Sequence, residues 1–345
     1  MKSNRLKKPL YALVAGLVAA FLCGELIVRK AVGAPLAERL PILRILPHPT
    51  RAWRMVPNED HYTYQHRVRI NSHGLRGPEV RQKRHDTVRV LALGDSLTYG
   101  QGVGDDETLP AQLEHLLNTE DPEGRRWEVI NAGHRAYDMG QEVELALEFA
   151  DEFRPDHVLL FWYRDDLSPR DIEGNYRRIS ALPTPVAFDT GTRIEGWESV
   201  RWHARQFLRR SALAMFVHDT IHRTPSKELR DNIRQAQLKR FDRELARLLS
   251  QGEKTGFRSW LVPIPHRIHV EHPQMPALLT SGVIELAKRK GLGTVDLQPP
   301  LEALLKANSK LPVLPYDGHY DPEANRVMAR EVAEALWQLP AMDGR

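Results

Sequence analysis

The segment Val88-Arg-Val-Leu-Ala-Leu-Gly-Asp-Ser-Leu-Thr-Tyr-Gly-Gln-Gly102 decides the fold of this 345-residue chain. Its first six residues form a mostly apolar run, typical of a strand buried in a parallel sheet. Gly94 and Gly100 bracket a tight turn, and the apolar spacing of residues 109–117 then indicates a helix. This order predicts that the hydroxyl group of Ser96 lies at the carboxyl end of a sheet, where ligands collect in α/β proteins. The alternative is a structural serine in an ordinary strand-to-helix loop.

The rest of the chain continues this alternation of strands and helices. Such alternation is typical of an α/β fold whose parallel sheet is covered by helices on both faces. A further stretch, residues 168–225, breaks the rhythm and is interpreted as an insertion near the site that forms a cap or a partner surface. The other predicted strands are 127–130, 157–162, 259–264 and 294–297, and the other predicted helices are 140–153, 227–251, 277–290 and 322–337.

The N-terminal region is predicted to cross a membrane. Residues 10–28 form an apolar stretch in which Glu25 is the only charged residue, and as a helix they are long enough for a hydrocarbon layer of about 30 Å. More basic residues precede the stretch than follow it directly, which predicts a cytoplasmic N-terminus and a remainder on the periplasmic side of a bacterial inner membrane. The alternative is a signal peptide that is cleaved around Ala31-Val-Gly33. The preceding basic residues are Lys2, Arg5, Lys7 and Lys8.

Three regions follow from these patterns. Residues 1–33 are expected to form the cytoplasmic tip and the transmembrane anchor. Residues 34–85 are expected to form a tether, irregular and rich in proline over residues 34–60, with an edge strand at 61–70. Residues 86–340 are expected to form the main α/β domain, which carries the insertion.

Composition excludes several classes of protein. The formal net charge is +4, and the arginines stand among residues of both signs, which argues for solvated helix faces and against a nucleic-acid-binding surface. Cys23 is the only cysteine, so an intramolecular disulfide is impossible. Three histidines at 266, 269 and 272 have a spacing that suggests a metal site, but they follow a strand in a proline-rich segment, and no metal or other cofactor is predicted.

A serine hydroxyl becomes a nucleophile when a base accepts its proton, and a third group usually orients that base. His319 is the best candidate for the base because it lies in a short loop before the final helix, two residues after Asp317. The oxyanion of the tetrahedral intermediate also needs hydrogen-bond donors. The backbone N–H groups of Ser96 and Gly133 are the candidates, and each follows a predicted strand.

Five segments together resemble the SGNH (GDSL-type) hydrolase superfamily, and in particular its membrane-tethered bacterial branch. They occur in the order of the family and cover about residues 65–340. The resemblance implies a flavodoxin-like three-layer α/β/α sandwich and acyl-ester chemistry. It also implies that Ser96 is the nucleophile, that Gly133 is an oxyanion donor, and that Asp317 and His319 are the acid–base pair. The segments are Ile70–Gly77, Leu93–Val103, Ile130–Gly133, Leu160–Leu167 and Asp317–His319.

The chain departs from the family pattern at two positions. The third family segment normally supplies an asparagine amide to the oxyanion, but Asp165 stands at that position, and an ionised carboxylate only accepts hydrogen bonds. Either Asp165 is protonated, or Arg164 supplies the donor, or the activity is weakened. The second departure is the acid: the family places it three residues before the histidine, where this chain has Tyr316.

The sequence therefore predicts a serine esterase that hydrolyses acyl esters, with O-acetyl groups on envelope or secreted glycans as the substrate class. Its expected partners are an acylated small molecule or glycan and the membrane, whereas no protein partner is identified. Two alternatives stay open. One is an acyltransferase in which a sugar hydroxyl resolves the same acyl-enzyme, and the other is a catalytically weakened glycan-binding protein with the same fold.

Overall fold

The computed structural model describes residues 7–189, 194–222 and 231–339. The chain divides into two compact units. The smaller unit consists of the described parts of Met1–Glu38, Ile194–Lys227 and Pro315–Gly318, and the larger unit consists of the described parts of Arg39–Arg193, Glu228–Leu314 and His319–Arg345. We describe each unit by itself.

The strands are β1 (Arg44–His48), β2 (Ala52–Met55), β3 (Asp60–Thr63), β4 (His66–Arg69), β5 (Thr87–Gly94), β6 (Arg126–Gly133), β7 (His157–Trp162), β8 (Val186–Ala187), β9 (Arg258–Pro263) and β10 (Gly293–Thr294).

The helices are α1 (Lys7–Ala31), α2 (Ser96–Tyr99), α3 (Leu109–Glu120), α4 (Met139–Phe153), α5 (Ile172–Ser180), α6 (Gly196–Arg209), α7 (Ala212–His222), α8 (Asp231–Thr255), α9 (Arg267–Glu271), α10 (Leu278–Arg289), α11 (Gln298–Asn308) and α12 (Pro322–Trp337). A 3₁₀ turn spans Arg164–Leu167.

The larger unit is built on a five-stranded parallel sheet in the order β10-β9-β7-β5-β6. Counted along the chain, this is the order 2-1-3-4-5, which is the flavodoxin-like doubly wound topology. The predicted α/β fold with a parallel sheet is therefore confirmed. The carboxyl ends of β5, β6 and β7 lie side by side, because Gly94 pairs with Gly133 on one side and with Phe161 on the other.

Helices cover both faces of the sheet. Along β5, Leu91 and Leu93 belong to one hydrophobic core, whereas Val90 and Ala92 belong to the other. The alternation follows from the period of two in a strand. The first core is completed by α4, α8 and α10, and the second by α3, α11 and α12. The result is the predicted three-layer sandwich.

Several local predictions need correction. The stretch 34–60 was expected to be irregular, but it contains β1 and β2, which form an antiparallel sheet with β8. The expected single strand at 61–70 is the hairpin β3–β4, because Tyr64 takes a positive φ of 51° and turns the chain. Helix α11 was not predicted, and the predicted strand at 294–297 is only the short β10.

The smaller unit contains α1, α6 and α7. Within α1, residues Tyr11–Ala31 are long and apolar enough to span a membrane, a property that the segment shares with secretory signal sequences. The basic residues Lys2 and Arg5 lie outside the described residues, as do the first residues of the helix predicted at 227–251 and the end of the insertion at 223–225.

Candidate active site

Ser96 lies directly after the carboxyl end of β5 and is the first residue of α2. The side chain of Asp95 caps this short helix by accepting a hydrogen bond from the Leu97 N–H at 2.8 Å. Because the N–H of a first helical residue has no acceptor within the helix, the Ser96 N–H is available to an incoming group. The Ser96 side chain is half-buried.

The base predicted from the sequence lies next to this serine. His319 Nε2 is 2.7 Å from Ser96 Oγ, although the two residues are 223 positions apart in the chain. The His319 carbonyl oxygen accepts a hydrogen bond from the Leu314 N–H at 2.8 Å, which fixes the loop just before α12. The distance is within the range of a hydrogen bond between a nucleophile and its general base.

We call the turn from Asp95 to Gly100 the nucleophile turn, after the predicted role of Ser96. Two glycines allow the ends of β5 and β6 to approach this turn. A Cβ at Gly133 would overlap the backbone of Thr98 and Tyr99, and a Cβ at Gly94 would overlap the side chain of Thr98. Gly94 also has a φ of 155°. The turn that carries Ser96 therefore packs directly on the end of β6, with no room for any side chain between them.

The Gly133 N–H, predicted as an oxyanion donor, has a partner in this structure. It donates to Asn131 Oδ1 at 3.0 Å. The Asn131 amide group in turn donates to the Tyr99 carbonyl oxygen at 3.4 Å. For the Gly133 N–H to reach a substrate, it must be shared with Asn131 or released by it.

The third family segment forms the 3₁₀ turn at the end of β7. The Asp165 side chain is 69% exposed, and its Oδ1 lies 3.6 Å from Arg164 Nε. The Arg164 side chain is half-buried. The turn thus carries a solvated carboxylate and a guanidinium group where the family has an amide.

Asp317, the predicted orienting acid, lies in the same loop as His319. Its neighbours Tyr316 and Gly318 both have positive φ values, of 61° and 90°, so the loop bends sharply on each side of it. The segment Pro315–Gly318 belongs to the smaller unit, whereas Ser96 and His319 belong to the larger one.

Sequence reasoning missed the role of Arg76, which binds the backbone of the nucleophile turn through hydrogen bonds. Its buried guanidinium group donates to the backbone carbonyl oxygens of Tyr99, Gly100 and Val103, and it forms an ion pair with Asp105. The quoted segment Ile70–Gly77 contains this arginine between apolar and glycine residues, and that placement was the available signal.

A second missed feature is a group of buried carboxyl groups near the site, formed by Asp95, Glu142 and Asp166. Burial raises the pKa of Asp95 to about 6 and raises the pKa values of Glu142 and Asp166 well above their ordinary range, and mutual repulsion adds to the shifts. Asp166 Oδ2 accepts from the Tyr163 N–H at 2.5 Å. Within the described ranges, Asp166 Oδ1 and both Glu142 oxygens have no hydrogen-bond partner. Glu142 and Asp166 are therefore stable inside the protein as neutral acids.

The three histidines considered for metal binding are arranged differently from the expectation. The segment forms the short helix α9, and the His266 side chain caps it by accepting from the Ile268 N–H at 3.2 Å. Among the residues that the structure describes, no group of three or more histidine, cysteine or acidic side chains is arranged to hold a metal ion.

A cleft of about 650 Å³ opens elsewhere in the larger unit, beside α4 and α8. Its lining includes Asp138 and Arg240 but neither Ser96 nor His319. The candidate site is defined by the strand ends and their turns, and this cleft is separate from it.

The comparisons with known proteins concern structure only, since no family model and no curated protein matches the chain. The acetyl xylan esterase AlAXEase is 15% identical, with a TM-score of 0.42 over 72% of this chain and 100% of that one. A member of the lipolytic G-D-S-L family from Veillonella parvula is 12% identical, with a TM-score of 0.41 over 73% and 100% of the two chains. An acetylxylan esterase from Geobacillus stearothermophilus is 13% identical, with a TM-score of 0.40 over 75% and 97%. At this level of similarity no activity is transferred to the present chain.

Proposed function

We propose that this chain is a member of the SGNH hydrolase superfamily and acts as a membrane-anchored serine esterase. The observation that carries the proposal is the hydrogen-bond distance of 2.7 Å between Ser96 Oγ and His319 Nε2 at the carboxyl edge of a parallel sheet. A serine in such a pair is activated because the imidazole accepts its proton as the new bond forms. The catalytic residues lie in the segment 86–340, which we take as the hydrolase domain with its insertion.

The reaction has two halves. Ser96 Oγ attacks the ester carbonyl carbon, and its proton passes to His319 Nε2. The imidazolium then protonates the leaving alcohol, so that the carbon–oxygen bond breaks and an acyl-enzyme remains. A water molecule gives a proton to His319 as its oxygen attacks the acyl carbonyl carbon. His319 then returns this proton to Ser96 Oγ as the bond between Oγ and the acyl carbon breaks, which releases the carboxylic acid. Asp317 is the candidate for the carboxylate that orients His319.

The oxyanion is stabilised by the N–H of Ser96, joined by that of Gly133 once Asn131 shares it. The family's third donor is absent, because Asp165 only accepts hydrogen bonds when ionised. Arg164, beside Asp165, is the remaining cation on that turn. Since one oxyanion donor is typically worth about 10²–10³ in rate, we expect a slow esterase.

The substrate class is an acylated glycan of the cell envelope or of the secreted material, with O-acetyl as the acyl group. This part of the proposal depends on location: α1 anchors the chain in the inner membrane and the hydrolase domain faces the periplasm. The basic residues that precede the apolar stretch support this orientation.

A catalytically weakened glycan-binding protein is the second candidate function. The Gly133 N–H is already bonded to Asn131 and the amide donor is replaced by Asp165, and both features favour low turnover. An acyltransferase would use the same Ser96–His319 pair with a sugar hydroxyl in place of water.

The test uses the full-length chain in detergent, treated with a fluorophosphonate probe and examined by intact-mass spectrometry. We expect one adduct on the parent protein, none on Ser96→Ala, strongly slowed labelling of His319→Ala, and normal labelling of the exposed control Ser281→Ala. No adduct on the folded parent protein at several pH values would reject the serine mechanism and favour the binding protein.

A further inference from the structure

Helix α6 has its apolar face turned away from the protein. Trp197, Val200, Phe207 and Leu208 are 71%, 54%, 72% and 65% exposed. Their spacing of i, i+3, i+10 and i+11 puts them on one face of the helix. In a helix on the surface of a globular protein, the apolar face is normally the buried one.

The opposite face of α6 is the one that packs on the protein. Trp202 and Gln206 are buried there, and Gln206 Oε1 accepts a hydrogen bond from the Glu38 N–H at 3.0 Å. The orientation of the helix is therefore held by contacts on its inner face. Because this orientation leaves the apolar stripe exposed to water, the stripe is expected to contact another apolar surface.

The charges on α6 indicate what that environment is. The helix carries Arg201, Arg205 and Arg209 but a single acidic residue, Glu198, which pairs with Arg201 at 3.0 Å. Arg205 and Arg209 have no side-chain partner in the described part of the chain. A cationic helix with exposed Trp, Phe and Leu side chains is typical of a segment that lies in the interface of an anionic bilayer.

The position of α6 relative to α1 supports the same conclusion. The carboxylate of Glu25 in α1 accepts hydrogen bonds from Ser211 Oγ at 2.8 Å and from the N–H groups of Ala212 and Leu213 at 2.8 and 2.9 Å. Arg29 donates to the carbonyl oxygen of Arg210, the residue that ends α6. The corner between α6 and α7 is thus attached to α1 at Glu25 and Arg29.

This attachment point is at the level of a membrane surface. Arg29 follows the apolar stretch directly, and Glu25 lies four residues, or about 6 Å along the helix axis, before it. Because charged residues mark the boundary of a membrane span, the α6–α7 corner is held where the hydrocarbon begins.

We propose that α6 is an interfacial membrane-binding helix whose stripe, formed by Trp197, Val200, Phe207 and Leu208, inserts into the periplasmic leaflet beside α1. The inference rests on the anchored state of α1 in the proposed function. It gives the insertion at 168–225 a partner, the lipid surface, and adds a second attachment to the membrane.

The experiment uses the full-length chain in lipid nanodiscs that contain phosphatidylglycerol. In a Cys23→Ser background, single cysteines replace Leu17, Val200, Phe207 or the exposed control Lys288, and each carries the environment-sensitive dye NBD. Spin-labelled lipids quench the dye, with the label either near the headgroup or near the end of the acyl chain. Fluorophosphonate labelling of the same samples reports on the active site separately.

We expect blue-shifted NBD emission at positions 200 and 207, with several-fold stronger quenching by the shallow label than at position 288. Position 17 should respond to the deep label. Water-like emission at 200 and 207, with position 17 quenched, would overturn the inference and leave the anchor intact. Blue-shifted emission without lipid quenching would mean that a protein or a second copy covers the stripe, which also overturns it. An unquenched position 17 would overturn the anchor and the inference together, whatever the fluorophosphonate result.

Discussion

The turn after β5 and the turn after its neighbour β7 lie at the same edge of the sheet, but their polar groups have very different surroundings. In the first turn, Arg76 binds three backbone carbonyl oxygens, and the Asp95 side chain caps the helix that begins at Ser96. In the second turn, Asp166 Oδ1 has no hydrogen-bond partner in the described part of the chain. Both carboxylate oxygens of the neighbouring Glu142 also lack a partner there.

The difference indicates how the two turns respond to change. The nucleophile turn is held by several independent contacts, so it tolerates little alteration of its backbone or of the groups that bind it. The second turn contains Asp166 and lies next to Glu142, two buried carboxyl groups that are stable in the protonated form. It is also the turn in which the sequence departs from the SGNH pattern that it resembles, because Asp165 stands at the position of the asparagine.

The largest effect is expected for Gly133→Ala, which brings a Cβ into the backbone of the nucleophile turn. We expect hydrolysis of p-nitrophenyl acetate to fall by at least about 10²-fold, because the oxyanion donors and Ser96 move apart. The matched control is Gly282→Ala in α10, where the new Cβ meets only the flexible end of Leu238. Near-normal activity of Gly133→Ala would show that the strand end does not constrain the turn.

Arg76→Met removes the group that binds the nucleophile turn from below. We expect a loss of about 3 kcal/mol in the free energy of unfolding, because Asp105 and three carbonyl oxygens lose their donor. Labelling of Ser96 by fluorophosphonate should slow by about tenfold as the turn loosens. Arg67→Met, which breaks an exposed ion pair with Asp60, is the control and should leave the free energy of unfolding nearly unchanged. Equal effects of the two variants would contradict the role of Arg76.

Asp165→Asn tests the second turn and is expected to increase the rate of ester hydrolysis. The amide can donate to the oxyanion and the negative charge is removed, so we expect kcat for acetyl esters to rise by about tenfold to a hundredfold. Asp165→Ala removes the charge without adding a donor, and the difference between the two variants measures the hydrogen bond. If the two variants have the same rate, the oxyanion does not reach this position.

The smallest effect concerns the stability of the larger unit against pH. Burial raises the pKa of Asp95 to about 6 in the folded chain from its ordinary value of 3.8, so between these pH values the folded state binds more protons than the unfolded state. The contribution of Asp95 to stability therefore falls as pH rises through about 6, and the raised pKa values of Glu142 and Asp166 extend this fall upward. Four buried or half-buried histidines act in the opposite direction, because burial lowers their pKa values to about 3 or 4: His48, His61, His134 and His157. A variant that lacks one of the carboxyl groups should therefore gain melting temperature, relative to the parent chain, at about pH 8 compared with about pH 5.

Glu142→Gln keeps the shape of the side chain and removes its proton equilibrium, so it should reduce this pH dependence. Glu285→Gln, which breaks an exposed ion pair with Arg289, should leave it unchanged. The same pH dependence in Glu142→Gln as in the parent chain would mean that the Glu142 carboxyl group does not contribute to it.

The part of the fold that could be predicted is the part governed by local patterns. The apolar run of β7 matched its predicted ends, and α12 matched because Asp321 caps it and Pro322 occupies its first position. The spacing of Ser96 and His319 relative to strand and helix ends also placed both at the same edge of the sheet. These features need only strand period, caps and the geometry of parallel sheets.

The rest depended on interactions between distant residues. The alternation of residues 61–70 continues through Tyr64, so the hairpin turn left no trace in the periodicity. The hydrogen bond from the Gly133 N–H to Asn131 Oδ1 depends on the side-chain conformation of Asn131, which no sequence pattern specifies. Glu142 lies in the first turn of α4, where an acid is expected for electrostatic reasons, and its burial was therefore not foreseen. The apolar face of α6 could be recognised from its spacing, but not the direction in which it points.

The bonds between Glu25 and the start of α7 have a consequence for biosynthesis. Glu25 is synthesised with α1, but Ser211, whose hydroxyl donates a hydrogen bond to it, is made 186 residues later. At about 5–20 residues per second, Glu25 is therefore paired only with Arg29 of its own helix for about 10–40 s. The contacts that attach the start of α7 to α1 can therefore form only after the ribosome has delivered residues 211–213.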